Sequence, residues 1–403
     1  MKIGIVSPYP SIGSKHTEES GVASYTKNLV YSIKNFIHDV SVFANNFGSN
    51  LKYFEDGIVI SRCWNKGVRY PFQVLRNVLM KKEQVNIMHI QFEVFLYGGL
   101  FSILVFPLLL ILLKLFNIST VTTIHQVVPL PKVDRQFLKK NNFSGTPFLL
   151  KIGLFLLIHI ITSLSNKVIV HEFPFKKILI DHYRSKSSKV VVIPHGIEEK
   201  KDLIDKNKAK EVLNLEDNKV ILFFGYITGY KGIELLINSF KYKYLKNNLT
   251  LLISGGMHPR LKVDPSYKLY LRSLEKRAST ISKNIIFTGF LPEEQIPLFF
   301  SAADLIVFPY TLAMSSSGPM SFAVAYEKPF LVSDAFKDIV KLDEIIFSKD
   351  PENLAKKIEQ FFSNKDLEKK CLNYIKRVKE ERSWKNIAKR TLKIYNNVFI
   401  TRV

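Results

Sequence analysis

Cysteine is nearly absent from this chain: two residues in 403, Cys63 and Cys371. They stand far apart, and neither belongs to a CxxC or a Cys/His cluster. That excludes a disulfide framework and argues against structural zinc, and a reducing cytosol fits. No GxGxxG opens a helix after a strand, so a nicotinamide-binding domain is unsupported. The nearest thing to a phosphate loop, 225–232, lacks the GxxxxGK[ST] spacing of an NTPase. No Asp-x-Asp pair stands ready to hold a divalent ion against a diphosphate, so no metal site is expected. Acidic residues are scarce, 35 against 58 Lys and Arg, for a net charge of +23. This excess calls for an anionic partner. It is spread over both halves and comes with no zinc-finger, helix-turn-helix or RNP-like signature, so no nucleic acid is expected. The opening MKIGIVSPYP has too short an apolar run for a secretory signal and reads as a strand from residue 2. The Asn-x-Ser/Thr triplets at Asn117, Asn142 and Asn248 then read as chance.

Apolar types make up 47% of the chain. Its length exceeds the roughly 250 residues at which single cores stop growing, so two domains are expected. Short β-branched runs at 3–6, 40–44, 58–60, 87–90, 121–124, 168–170 and 190–193 fill the first half. Runs at 220–224, 249–253, 285–287, 305–308 and 330–332 fill the second. Such runs suit strands buried on both faces of parallel sheets. Between them lie helical periodicities: over 23–36, Tyr25, Leu29, Ile33 and Phe36 share a face, and 233–240 is another. The alternation predicts an α/β protein with right-handed crossovers. A charged stretch at 197–218 divides the halves. Two doubly wound units joined there would face each other across a cleft beyond their strand ends.

Two segments, 94–113 and 152–166, carry no charge. The first is long enough to span a bilayer. A crossing there would separate the strands at 87–90 and 121–124, so the sheet could not form. The expectation is apolar helices, 101–116 foremost, lying in the interface of an anionic membrane with help from nearby basic residues. Two unusually apolar buried helices are the alternative.

Several strand ends carry polar groups suited to chemistry. The polar loop 11–21 leads through Glu18, Glu19 and Ser20 to Gly21 at a helix entry, where backbone N–H groups can approach an anion. His89, His125, His171 and His195 all stand near strand ends. His125 is the best placed to donate to a sugar hydroxyl or polarise a reacting group. Lys231 beside a helix start suits a diphosphate. Ser315, Ser316, Ser317 and Gly318 precede an apolar helix over 320–326 and offer backbone donors or plain caps.

The ordered set SGVASYT, HIQFE with YGG, TTIHQ, VIVHE, VIPHGI, FFGYITGYKGIELLI, NIIFTGFLPEEQIPLFFSAADLIVFPY, SSSGP with AYEKP, and SWKNIAKRTLKIY resembles retaining glycosyltransferases of the GT-B fold, group 1 (family 4). The resemblance covers nearly the whole chain. It implies two Rossmann-like doubly wound domains facing across a cleft: 1–197 for the acceptor, completed by a terminal helix at 383–403, and 198–382 for the donor. It further implies a UDP- or GDP-linked sugar as substrate, no cofactor or metal, retention of anomeric configuration, and a glycan or lipid-linked acceptor. The setting it suggests, with the apolar segments, is cytoplasmic and peripheral at the inner membrane face. Carried over, Gly21, Lys231, Ser316, Ser317 and Gly318 bind the donor and His125 is catalytic. His89, Gln91 and Glu93 lie on the acceptor side, and Glu327 supplies a sugar or ribose contact. The chain departs from the family where many members carry two glutamates, here Met314 and Phe322, and an arginine, here Tyr226 or Thr228. SSSGP looks like a branch that uses a Ser-Gly loop instead. A noncatalytic subunit or anchoring protein, or a hydrolysing epimerase on the same fold, are the alternatives.

Overall fold

A computed structural model describes residues 1–14, 21–48, 51–80, 85–141, 143, 145–200, 203–243, 245, 248–258 and 261–401. Glu18, Glu19 and Ser20 of the entry loop, and Asn142, lie outside the described residues.

The first half builds an eight-stranded sheet from β1 (Ile3–Val6), β2 (Val40–Asn45), β3 (Leu51–Glu55), β4 (Ile58–Trp64), β5 (Ile87–Phe92), β6 (Ser119–Ile124), β7 (Lys167–Val170) and β8 (Val190–Val192). Their order is β3-β4-β2-β1-β5-β6-β7-β8. Only β3 runs antiparallel to its neighbour β4. The second half builds a parallel six-stranded sheet from β9 (Lys219–Phe224), β10 (Leu249–Ser254), β11 (Ile285–Phe287), β12 (Leu305–Phe308), β13 (Phe330–Ser333) and β14 (Ile346–Phe347), ordered β11-β10-β9-β12-β13-β14. In each sheet the winding reverses beside its first strand, β1 or β9, which opens a crevice at the carboxyl ends. This is the GT-B arrangement of two parallel-sheet domains.

The strand interiors are buried on both sides, which is why they read as unbroken apolar runs. Along β5, Ile87 packs into one face of the sheet while Met88, Ile90 and Phe92 pack into the other. His89 and Gln91, two and four residues beyond Ile87, therefore share its face.

That face is covered by the helix Gly21–Ile33 and by the last helix, Trp384–Ile400, whose Ile387, Ala388, Leu392, Tyr395 and Val398 join the same core. The chain thus returns to the first sheet after finishing the second. The return is pinned where Ile197 N–H donates to the Arg382 carbonyl at 2.9 Å. Beside it Gly196 is obligatory: a Cβ there would lie 2.4 Å from the Trp384 ring.

Both cysteines are buried and unpaired with each other. The helix Gly21–Ile33 stops short of Phe36, which is exposed. From residue 100 the first charge-free segment forms two helices, Leu100–Leu104 and Phe106–Leu115, and the second lies in Pro147–Leu164 up to its last two residues. The last is long and apolar enough to cross a membrane. It nevertheless joins β6 to β7, which pair in register from Val121 and Lys167, so both its ends serve one sheet.

Candidate functional site

Between the sheets lies an open cleft. Gly21, Tyr25, Glu93, His125, His171 and His195 line it from the first domain. Ser315, Ser316, Gly318, Ser321 and Phe322 face them from the second, and Trp384 enters from the returning helix. Each histidine follows the end of a strand, where a parallel sheet hands its chain to a loop.

The first wall is a hydrogen-bonded chain. Burial pushes His89 and His171 down to about 3 and holds His125 well below the usual imidazole range, so all three rings are neutral. Neutral rings have one donor each, and that orders the protons. His171 Nδ1–H donates to the Ile193 carbonyl at 3.0 Å. Its Nε2 is then an acceptor and takes the Nδ1–H of His125 at 3.1 Å. His125 Nε2 is in turn an acceptor. With Gln91 Oε1 toward it at 2.8 Å, His125 would need protons on both nitrogens. Turning the carboxamide over supplies an N–H instead and leaves every ring neutral. The Gln91 oxygen then accepts from His89 Nε2, 3.3 Å from the other end of the amide. Thr123 Oγ1 lies 2.7 Å from the same nitrogen, and His89 Nδ1 accepts the Tyr395 hydroxyl at 2.6 Å. Tyr25 stands edge-on to His125, its ring centroid 4.8 Å away, and also touches His171, His195 and Trp384.

The second wall is built on one cation and one helix start. Lys231 ends a short turn after β9 and is 6% exposed. Burial alone lowers its ammonium to about 7. The ammonium lies 5.7 Å from the Tyr310 ring centroid and makes no hydrogen bond or ion pair among the described residues. It rests against Gly225 and Pro319, since a Cβ on Gly225 would come within 2.8 Å of both. Gly232, at φ 67°, turns the chain from Lys231 into the next helix, and a Cβ there would meet the Pro309 carbonyl at 2.0 Å.

Pro319 belongs to the first turn of the helix Gly318–Ala325, so Lys231 and that helix N-terminus share one place. Ser317 caps the helix, its Oγ accepting from Met320 N at 3.3 Å and lying 3.1 Å from the Tyr310 hydroxyl. Among the described residues the N–H groups of Ser317 and Gly318 have no partner, whereas Ser315 bridges antiparallel to Gln126, which turns the Ser316 N–H toward the His125 carbonyl. Ser316 Oγ donates to Glu172 at 3.4 Å, and Arg382 grips the same carboxylate with two bonds of 2.6 and 3.1 Å. A residue of the first domain thereby holds the serine loop of the second.

A second crevice opens beyond β9 and β10, lined by Tyr226, Gly255, Gly256, Lys262, Thr288 and Phe290. Tyr226 and Phe290 lie nearly parallel across it, 6.4 Å between centroids and 18° between planes. Among the described residues no group of three or more His, Cys, Asp or Glu could hold a metal ion.

Two family models match this chain: "Glycosyltransferase Family 4" over residues 20–201 and "Glycosyl transferases group 1" over residues 205–379. The chain belongs to the group 1 glycosyltransferases. An uncharacterised glycosyltransferase of Methanocaldococcus jannaschii is 29% identical over 45% of each chain. The capsular polysaccharide biosynthesis glycosyltransferase CapM of Staphylococcus aureus is 28% identical over 53% of this chain and 57% of its own. This chain thus spans about half the length of the curated relatives it matches. Among solved structures, sucrose-phosphate synthase from Thermosynechococcus elongatus superposes over 99% of both chains, with a TM-score of 0.76 at 16% identity. Anabaena HepE in complex with UDP-glucose covers 98% of this chain and all of its own, with a TM-score of 0.70 at 14% identity. At such identities these two establish the fold.

Within this group 1 glycosyltransferase the expected site residues divide. Gly21, Glu93, His125, Ser316 and Gly318 line the cleft, Ser317 caps the helix behind it, and Lys231 sits at that helix's first turn. His89 and Gln91 do not reach the cleft: both are fully buried inside β5, below its end, and serve the hydrogen-bonded chain. Nor can His125 donate from its ring to a sugar, because both ring nitrogens are engaged by Gln91 and His171. Glu327 is also misplaced. It follows the helix at its far end with φ 51°, half-exposed, and pairs with Lys379 at 2.7 Å. Met314 is buried in a small apolar cluster with Val128, Val133, Phe137 and Leu138 that joins the domains. Phe322 lies under Lys200, whose ammonium is 5.0 Å from the ring centroid and 2.9 Å from Glu198. Tyr25, Trp384, Lys200 and Glu198 went unnoticed as site residues. Their signal was weak, because they meet only when the last helix crosses back.

Proposed function

We propose that this protein transfers a sugar, with retention of anomeric configuration, from a UDP- or GDP-linked donor to a glycan or lipid-linked acceptor at the cytoplasmic membrane face. One observation carries the reading: among the described residues, a buried ammonium without a hydrogen-bond or ion-pair partner lies at a helix N-terminus where the Ser317 and Gly318 N–H groups are unused. That constellation suits the diphosphate of a nucleotide sugar. The Tyr226–Phe290 crevice is the place for the base, with glycines letting the nucleoside approach the backbone. The solved relative HepE binds UDP-glucose, which supports a donor of this class.

In the transfer, the acceptor oxygen bonds to the anomeric carbon as that carbon's bond to the diphosphate oxygen breaks. The acceptor's proton passes to the leaving phosphate on the same face. Lys231 and the N–H groups of Ser317 and Gly318 stabilise the charge that builds on that phosphate, the largest contribution this chain makes. The neutral histidine wall shapes the sugar side and keeps competing charge away from the diphosphate.

A thermal-shift screen against UDP, GDP, ADP and dTDP sugars, followed by turnover with lipid extracts, tests the reading. Selective stabilisation by one or two donors and transfer of their sugar is the expected result. Neither binding nor turnover of any donor would overturn it. Met314 and Phe322, apolar where relatives are acidic, favour a noncatalytic relative as the second reading. Saturable binding without turnover of any acceptor would select it.

A further inference from the structure

The helices Phe106–Leu115 and Pro147–Leu164 lie side by side on the first domain, and their outward faces are apolar. Leu115, Phe148, Leu149 and Leu156 are more than half exposed, as are Phe101 and Leu104 on the short helix just before. Only Leu157, Ile158, Ile161 and Thr162 of the longer helix are buried, and Phe148, Leu149, Ile152, Leu156 and Ile160 form an exposed apolar face along it. The equivalent outer helices of the second domain differ. Pro351–Ser363 and Lys365–Glu381 bury Leu354, Ile358 and Ile375 and turn charged residues outward.

The apolar face ends in a cluster of lysines at the amino edge of β6, β7 and β8. Lys114 closes the helix that leads to β6, and Lys167 begins β7. Lys189 stands opposite Lys167, because Val168 N–H donates to the Lys189 carbonyl at 2.9 Å. Lys186 is one turn away, its carbonyl accepting from Lys189 N at 3.0 Å. The four are near enough that the charges of Lys186, Lys114 and Lys167 add to burial in lowering the Lys189 ammonium. Lys167 donates to the Ser188 carbonyl, and Lys189 to the carbonyls of Ser163 and Ser165 at the end of the long helix. Among the described residues none of the four is ion-paired. Four clustered cations without a carboxylate leave a local excess that an anion must balance.

We infer that this two-helix face docks flat on an anionic bilayer, the apolar side chains entering the acyl boundary while Lys114, Lys167, Lys186 and Lys189 take lipid phosphates. Burying both an apolar face and a basic edge in one plane is the requirement for interfacial binding without a spanning helix. Neither helix spans, since both return the chain to the same sheet. The inference deepens the membrane-face part of the proposed function and names the surface that meets the lipid.

Flotation of the full chain with phosphatidylcholine vesicles, with and without 30% phosphatidylglycerol, tests it. Thermal shift with the nucleotide sugar is run on every variant. The expected result is binding to the anionic vesicles only, weakened by 0.5 M salt. Lys114→Gln with Lys186→Gln should weaken it roughly 30-fold, at about fivefold per lysine near the surface. Phe148→Ser with Leu149→Ser should weaken it as strongly while leaving the nucleotide shift intact. Equal binding to neutral vesicles, no vesicle binding, or lysine variants that bind like the wild type would overturn the inference. So would a dimer in sedimentation velocity that Phe148→Ser dissociates, because the face would then belong to a second copy. Vesicle binding that fails while the nucleotide shift persists removes this surface and leaves the transferase reading standing. Loss of the nucleotide shift in the wild type removes the latter.

Discussion

The two walls of the cleft are built on opposite principles. On the first, the row of side chains is closed on itself: His89, Gln91, His125 and His171 satisfy one another in a single proton-ordered row. On the second, the polar groups are held in place but left open: among the described residues Lys231 has no counter-charge, and the N–H groups of Ser317 and Gly318 have no acceptor. A satisfied network is rigid and selects shape. An unsatisfied cation in a nearly dry place is destabilising until its anion arrives. The difference teaches which wall waits for a ligand and which one frames it.

Removing the open wall's cation should have the largest effect. Lys231→Ala is expected to weaken nucleotide-sugar binding by about 1.5–3 kcal/mol, roughly 10- to 150-fold, in a calorimetric titration. Without the buried cation the unliganded protein should melt no lower than the wild type. A lower melting point with unchanged affinity would reverse the roles of the two walls.

The same lysine predicts a pH dependence. Its ammonium is pushed down to about 7 in the folded protein and lies near 10.5 when unfolded. Between these values the unfolded chain binds more protons, so this group makes the unliganded protein more stable as pH rises. A bound diphosphate restores the charge, so binding takes up a proton above pH 7. Affinity should fall by up to tenfold per pH unit there, and buffers of different ionisation enthalpy should reveal the uptake in calorimetry. Lys231→Arg should abolish the slope.

Breaking the satisfied wall should act on turnover and stability together. Gln91→Leu strips the amide from between His89 and His125 and leaves buried nitrogens without partners. It should cost about 1–3 kcal/mol of stability by denaturant titration. Nucleotide affinity should change little, because the diphosphate meets the other wall.

The smallest effect is expected at Glu327, whose partner Lys379 is outside the cleft. Glu327→Ala should change stability by no more than about 0.5 kcal/mol and leave donor KM unchanged. A tenfold rise in KM would place Glu327 in the site after all.

Much of the fold was legible because most strands buried on both faces are runs of apolar, largely β-branched residues. β1, β9 and β12 announced themselves that way. β3 did not, since Lys52 and Phe54 on this edge strand are exposed and its pattern is that of a surface hairpin. β14 is only two residues long. The site was legible where position in the chain equals position in space, as at Gly21, Lys231 and the serines that open a helix. It was misread at His89 and Gln91, because nearness to a strand's end in sequence is not emergence from the sheet: β5 continues to Phe92. Glu327 was misread because a short helix separates it from the loop it neighbours in sequence. Trp384 and Tyr25 were illegible as partners, since their contact depends on a helix that returns from the far domain.

A crystal structure of the protein with UDP tests the central claim most directly. The account requires phosphate oxygens within about 3.2 Å of Lys231 Nζ and of the N–H groups of Ser317 or Gly318. A diphosphate bound elsewhere, with Lys231 still bare beside Gly225, would contradict it.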